Sequence, residues 1–161
     1  MYIQVMKPPA LTPGSDIVAL PCVCANLRRA ARIVSQRYDQ YLRPSGLKGT
    51  QFTLLQALAI AGNAPQGRLG AILGLDSTTL TRTLALLRAK GWVQAKPGKD
   101  RRQIRLSLSA EGKRKYQRAL HHWQSAQNDL RRVLGEAGWK QIMDSTRLTA
   151  VLVQRAVQPP S

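Results

Sequence analysis

Ser77, Thr78, Thr79, Thr81 and Arg82 place four hydroxyls and a guanidinium within six residues. Such groups donate to base edges and phosphates of a nucleic-acid duplex. Arg88 follows six residues on, and then the run Lys99, Asp100, Arg101, Arg102 sets three cations around one carboxylate. Between Asp76 and Arg118 there are twelve basic residues and three acidic ones. The whole chain carries 25 Lys and Arg against 8 Asp and Glu, a net charge of +17. That excess points to a polyanionic partner. The residues of catalysis are not assembled. There is no phosphate-binding glycine loop, no nucleophile with a positioned base, and few carboxylates for acid–base work. The sequence therefore predicts no enzyme and no cofactor.

Two smaller groups carry reactive chemistry. Cys22 and Cys24 form a Cys-x-Cys pair close to Arg28 and Arg29. A single residue between them makes an intrachain disulfide strained, so a bond between two copies would be the better oxidation product. They stand either as oxidant- or metal-responsive thiols or as two small packing residues. His121 and His122 are sequence neighbours and are expected to point apart along a helix, with no ligand partners at metal spacing. No metal site is expected.

The elements that must position these groups follow from periodicity. Leu27, Ala31, Val34, Tyr38 and Tyr41 or Leu42 recur every three or four residues, which predicts an amphipathic helix from Cys24 to Leu42. Pro44, Ser45 and Gly46 end it. Thr50 is the expected N-cap of a second helix carrying Phe52, Leu54, Leu55, Leu58 and Ala59. A short helix over 67–73 is weakly encoded, because Gly67 and Gly70 each cost about 1 kcal/mol relative to Ala. After Gly74, Asp76 or Ser77 can cap a helix reaching Lys90, with Leu80, Leu84 and Leu87 inward and the hydroxyl-rich set outward. Gly91 stops it. Trp92–Ala95 and the alternating Ile104, Leu106 and Leu108 predict a β-hairpin whose tip is the basic Lys96–Arg102 segment. Ser109 caps a long helix running to about Leu134, Gly135 and Gly138 interrupt, and a last helix covers about Trp139–Arg155.

The segments LGLDSTTLTR (Leu73–Arg82), LLRAKGWV (Leu86–Val93) and KDRRQIRLSLSAEG (Lys99–Gly112) together resemble the core of the MarR family, and Leu27–Leu58 resembles its first two helices. The resemblance runs from about Cys22 to Val153. It departs at Gly67–Ile72, where the family has a Glu-Leu-Ala type of short helix. It implies a mainly α (α+β) fold: a winged helix-turn-helix lobe over 49–109. A helical dimerisation region is formed by the N- and C-terminal helices over 22–48 and 110–155. Residues 1–21 would be a flexible arm and 156–161 a tail.

The implied function is sequence-specific transcriptional regulation, as a repressor. A homodimer would bind a pseudo-palindrome in double-stranded DNA. Ser77, Thr78, Thr79, Thr81, Arg82 and Arg88 would face the major groove. Asp100 would orient Arg102 toward a minor groove, flanked by Lys99 and Arg101. The resemblance also implies release by a small aromatic or phenolic effector in a cleft that Arg37, Tyr38, Tyr41 and Phe52 would line. The alternatives are a redox- or metal-responsive regulator of the same fold, acting through Cys22 and Cys24, or a basic protein that coats nucleic acid without sequence preference. The latter would call for aromatic stacking platforms, and aromatics are only 5% of the chain. No apolar run approaches the roughly 20 residues of a membrane span. No signal-peptide pattern opens the chain, so no membrane partner and a cytoplasmic location are expected.

Overall fold

The computed structural model describes residues 21–98 and 103–157. Residues 1–20 of the expected N-terminal arm, the wing tip Lys99–Arg102 and the last residues of the expected tail lie outside the described residues. Helix α1 spans Val23–Leu42. The chain divides into one compact unit up to Arg37 and a second from Tyr38 onward. In the first unit the helix opens with the Asn26 N–H donating to the Cys22 carbonyl at 3.1 Å. Its apolar residues Val23, Leu27, Ile33 and Val34 are exposed.

The second unit contains α2 (Gly49–Ala61), β1 (Ala64–Pro65), α3 (Gln66–Leu73), α4 (Ser77–Ala89), β2 (Val93–Pro97), β3 (Ile104–Leu108) and α5 (Ala110–Val157). Helix α2 begins before Thr50, with Lys48 as its N-cap. Two partners replace the expected threonine cap. The Lys48 N–H donates to Gln51 Oε1 at 3.1 Å, and the Gly49 N–H donates to Asp39 Oδ1 at 2.6 Å. A carboxylate ten residues upstream thus satisfies a helix N-terminus that has no local Ser, Thr or Asp cap. Of the expected apolar set on α2, Ala59 is exposed and Ala57 takes its place in the core.

The core is aliphatic. Phe52, Leu54, Leu55 and Leu58 of α2 meet Leu69 of α3, Leu80, Leu84 and Leu87 of α4, Leu106 and Leu108 of β3, and Ala119 of α5. Aromatics add one stack, with the Phe52 ring centroid 5.5 Å from Tyr116 and 5.8 Å from Trp123. The sheet has three strands in the order β1–β3–β2, all antiparallel. The hairpin register runs from Val93 opposite Leu108 to Pro97 opposite Ile104. Of the apolar set predicted for its second strand, Leu106 and Leu108 are buried, whereas Ile104 is exposed. The third strand, β1, is a two-residue addition that pairs Ala64 with Leu106 and Pro65 with Arg105.

One joint holds α4, the hairpin and the long helix together. The Trp92 N–H donates to the Leu87 carbonyl at 2.9 Å, and the Trp92 carbonyl accepts the Ser109 N–H at 3.0 Å. Ser109 then caps α5, its hydroxyl accepting the Gly112 N–H at 2.9 Å and donating to the Gly91 carbonyl at 2.6 Å. A Cβ on Gly112 would lie 1.9 Å from the Trp92 carbonyl oxygen, so only glycine admits this approach. Helix α5 is two helical stretches across a break at Gly135, whose φ is 69°. The second stretch starts directly after the break, earlier than the predicted Trp139.

Candidate nucleic-acid interface

Helix α4 is about 20 Å long at the usual rise per residue. Leu80, Leu84 and Leu87 are 2%, 3% and 0% exposed, so one side of α4 is consumed by the core. Ser77, Thr78, Thr79, Thr81, Arg82 and Arg88 are all exposed. Helical spacing sets Ser77 with Thr81, and Thr78 with Arg82, on successive turns of the outer side. The Ser77–Arg82 group is thus brought together as expected, with Arg88 two turns on.

The start of α4 is fastened by Asp76, not Ser77. The Thr79 N–H donates to Asp76 Oδ1 at 2.9 Å and the Thr79 hydroxyl donates to Asp76 Oδ2 at 2.6 Å. Those two bonds hold the Asp76 carboxyl below the usual carboxylate range. The Thr79 hydroxyl is therefore committed to the cap. The cap also stations a carboxylate at the positive end of the helix dipole.

The helix before α4 is positioned by its C-terminal turn. Gly74 adopts φ 60°, and the Leu75 N–H donates to the Gly70 carbonyl at 3.1 Å. Gly70 faces the Leu75 carbonyl and the Leu80 side chain at 3.4 and 3.5 Å from where its Cβ would be. The departure at Gly67–Ile72 therefore still yields a helix docked on α4. Gln66 reaches across, its Nε2 donating to Thr81 Oγ1 at 2.8 Å. Periodicity could not signal this residue, because its partner is fifteen positions away.

At the wing, the Gly98 N–H donates to the Gln103 carbonyl at 2.7 Å and closes the described end of the hairpin. Lys99, Asp100, Arg101 and Arg102 lie beyond that bond, outside the described residues. Arg105, counted among the basic residues of this region, is half-buried. Its guanidinium donates to the Asn63 carbonyl and ties the wing to the α2–β1 connection.

The other expected groups differ in their surroundings. Phe52 is 1% exposed and belongs to the core instead of a cleft wall. The reason is its stack with Tyr116 and Trp123. Tyr38 and Tyr41 are half-buried, and burial pushes the Tyr38 phenol up. Arg37 is exposed at the end of the first unit. Cys22 and Cys24 are free, exposed thiols. His121 and His122 do not point apart: their ring centroids are 3.7 Å apart. Burial and the neighbouring His121 hold His122 below the usual histidine range. Among the described residues no helix is long and apolar enough to cross a membrane.

The MarR family model matches residues 45–103, the stretch from the turn before α2 to the wing. The transcriptional regulator MosR of M. tuberculosis, solved in complex with DNA, is 33% identical. It superposes with a TM-score of 0.77 over 85% of this chain and 99% of its own. The chain belongs to the MarR family. Its three-stranded sheet and helices are those of a MarR-family winged-helix transcriptional regulator. The HTH-type transcriptional regulator YwoH of Bacillus subtilis is 31% identical over 91 residues, 56% of this chain. The multiple antibiotic resistance protein MarR of Escherichia coli is 32% identical over 91 residues, 53% of this chain. The chain spans 66% and 63% of those two proteins, just under two thirds of each. The repressor CouR, solved on a 23-mer DNA duplex, shares the MarR fold at a TM-score of 0.73 and 21% identity.

Proposed function

We propose that this MarR-family chain is a repressor that binds a pseudo-palindromic operator in double-stranded DNA as a homodimer. The observation that carries the reading is α4. Its leucine side is sealed into the core while its hydroxyl and arginine side is left to solvent. A helix held that rigidly can enter a major groove about 12 Å wide with its first turns toward the base edges. Arg82 would reach a guanine or a phosphate. Lys99, Arg101 and Arg102 at the wing tip, with Asp100 orienting Arg102, would enter the adjoining minor groove. MosR, 33% identical, is solved on DNA, which supports the partner.

Dimerisation through 22–48 and 110–155 is supported by apolar residues left uncovered at both ends. These are Leu27, Ile33 and Val34 on α1, and Ile142, Met143, Leu148, Val151 and Leu152 on α5. Stretches of this kind on a single chain mark association surfaces. Release would come from a small aromatic or phenolic effector. The exposed thiols Cys22 and Cys24 favour a second input, oxidation to a bond between the two copies. The lobe at 49–109 would then be the DNA-binding part, acting in the cytoplasm.

Competition binding tests the reading. A duplex from the region upstream of the chain's own gene should outcompete random duplex of equal length by about 10³ or more at physiological salt. Equal affinity for both would make the chain a non-specific nucleic-acid coat.

A further inference from the structure

Three threonines along one helix have the same hydroxyl and use it differently. The Thr79 hydroxyl donates to Asp76 Oδ2 at 2.6 Å, and the Thr83 hydroxyl donates to the Thr79 carbonyl at 3.0 Å. Both have their proton engaged by α4 or its N-cap. The Thr81 hydroxyl instead accepts, from Gln66 Nε2 at 2.8 Å. A hydroxyl has one proton and two lone pairs. With a lone pair held by Gln66, the Thr81 proton is the part left to turn outward. Thr81 is exposed, and Gln66 and Ser77 border an open cleft of about 430 Å³ between α3 and α4.

A purely mechanical role for this bond is superfluous. Helices α3 and α4 are already joined by Leu69 and Leu80, buried in one core, and by the close approach of Gly70 to the Leu80 side chain. An exposed amide–hydroxyl bond adds little to that clamp.

We propose that Gln66, which lies outside the recognition helix, is a specificity-determining positioning residue: it sets Thr81 as a hydrogen-bond donor toward the base edge. The inference rests on the DNA-binding reading of α4. In the major groove guanine N7 and O6 and thymine O4 only accept, cytosine N4 only donates, and adenine offers both the N7 acceptor and the N6 donor. A Thr81 fixed as donor disfavours cytosine, the one base with no accepting atom on that edge, on the strand it faces.

The polarity can be reversed. In Gln66→Glu the partner is a carboxylate, which only accepts. The Thr81 hydroxyl must then donate inward and show its lone pairs to the DNA. The added negative charge weakens binding to every sequence alike, so the readout is the base preference and not the affinity.

The test is selection from a randomised duplex library with the full chain, Thr81→Val, Gln66→Ala and Gln66→Glu, followed by titration of single-base operator variants. The wild type should enrich a motif, and Thr81→Val should lose preference at one position per half-site. At that same position Gln66→Ala should flatten a preference of about fivefold. Gln66→Glu should admit C and disfavour G and T on the strand that Thr81 faces, with the other positions unmoved. If Thr81→Val changes no position, or if both Gln66 variants keep the wild-type preference, the assignment is overturned while operator reading stands. A loss spread over all positions would show Gln66 to be structural and would overturn it too. A wild-type chain that enriches no motif overturns the DNA-binding reading itself, and this proposal with it.

Discussion

Helix α4 and the last stretch of α5 are both amphipathic, but only one has its apolar side covered. Leu84 and Leu87 of α4 are 3% and 0% exposed, whereas Leu148 and Leu152 of α5 are 58% and 54% exposed. The difference separates two uses of one pattern. In α4 Leu80, Leu84 and Leu87 are partnered inside the chain and only Leu86 is left exposed, so the polar side is the larger part that remains to engage another molecule. In α5 the leucines themselves are left without cover, so the apolar side is what remains.

The comparison breaks most sharply at the α5 end. The double substitution Leu148→Asp and Leu152→Asp should yield a monomer by sedimentation. Operator binding should fall by about 10² or more as the second half-site contact is lost. A dimer that survives the change, with operator affinity intact, would refute α5 as an association surface. Next is the covered side of α4. Leu84→Ala should lower unfolding free energy by about 2–5 kcal/mol, measured by urea titration. The same change at Leu148 should leave a forced monomer's stability nearly unaltered.

On the outer side of α4, Arg82→Ala should leave the melting temperature unchanged and weaken operator binding by about 1–3 kcal/mol. Loss of stability in place of binding would place Arg82 in the fold and not the interface. The smallest effect concerns the cap. Thr79 depresses the Asp76 carboxyl, so its stabilisation is present above the unfolded value and is lost as pH falls through the lower folded value. The difference in melting temperature between wild type and Asp76→Ala should therefore be constant near neutrality and close on acidification. A gap that is independent of pH would deny the ionised cap.

Much of this architecture was legible from periodicity and turn chemistry. The α4 leucines, the β3 alternation, the Ser109 cap and the breaks at Gly46, Gly74, Gly91 and Gly135 all follow from local rules, which depend on neighbours within about four residues. The departures share a cause. Asp39 caps α2 from ten residues upstream, so Thr50 was not needed. Strand β1 is two residues long and contains a proline, too short for any period to show. Phe52 reads equally as a cleft or a core residue until Tyr116 and Trp123 close on it. Thr79 looks like its neighbours until Asp76 takes its hydroxyl.

The order of residues alone determined which faces are apolar, where the chain turns, and that its charge seeks a polyanion, because each is a property of composition or of short-range spacing. Only the folded chain decided which polar groups are still free to act. A hydroxyl or carboxylate is committed by partners brought near by packing, as with Asp39 on Gly49, Arg105 on Asn63 and Gln66 on Thr81. Local sequence carries no record of those meetings.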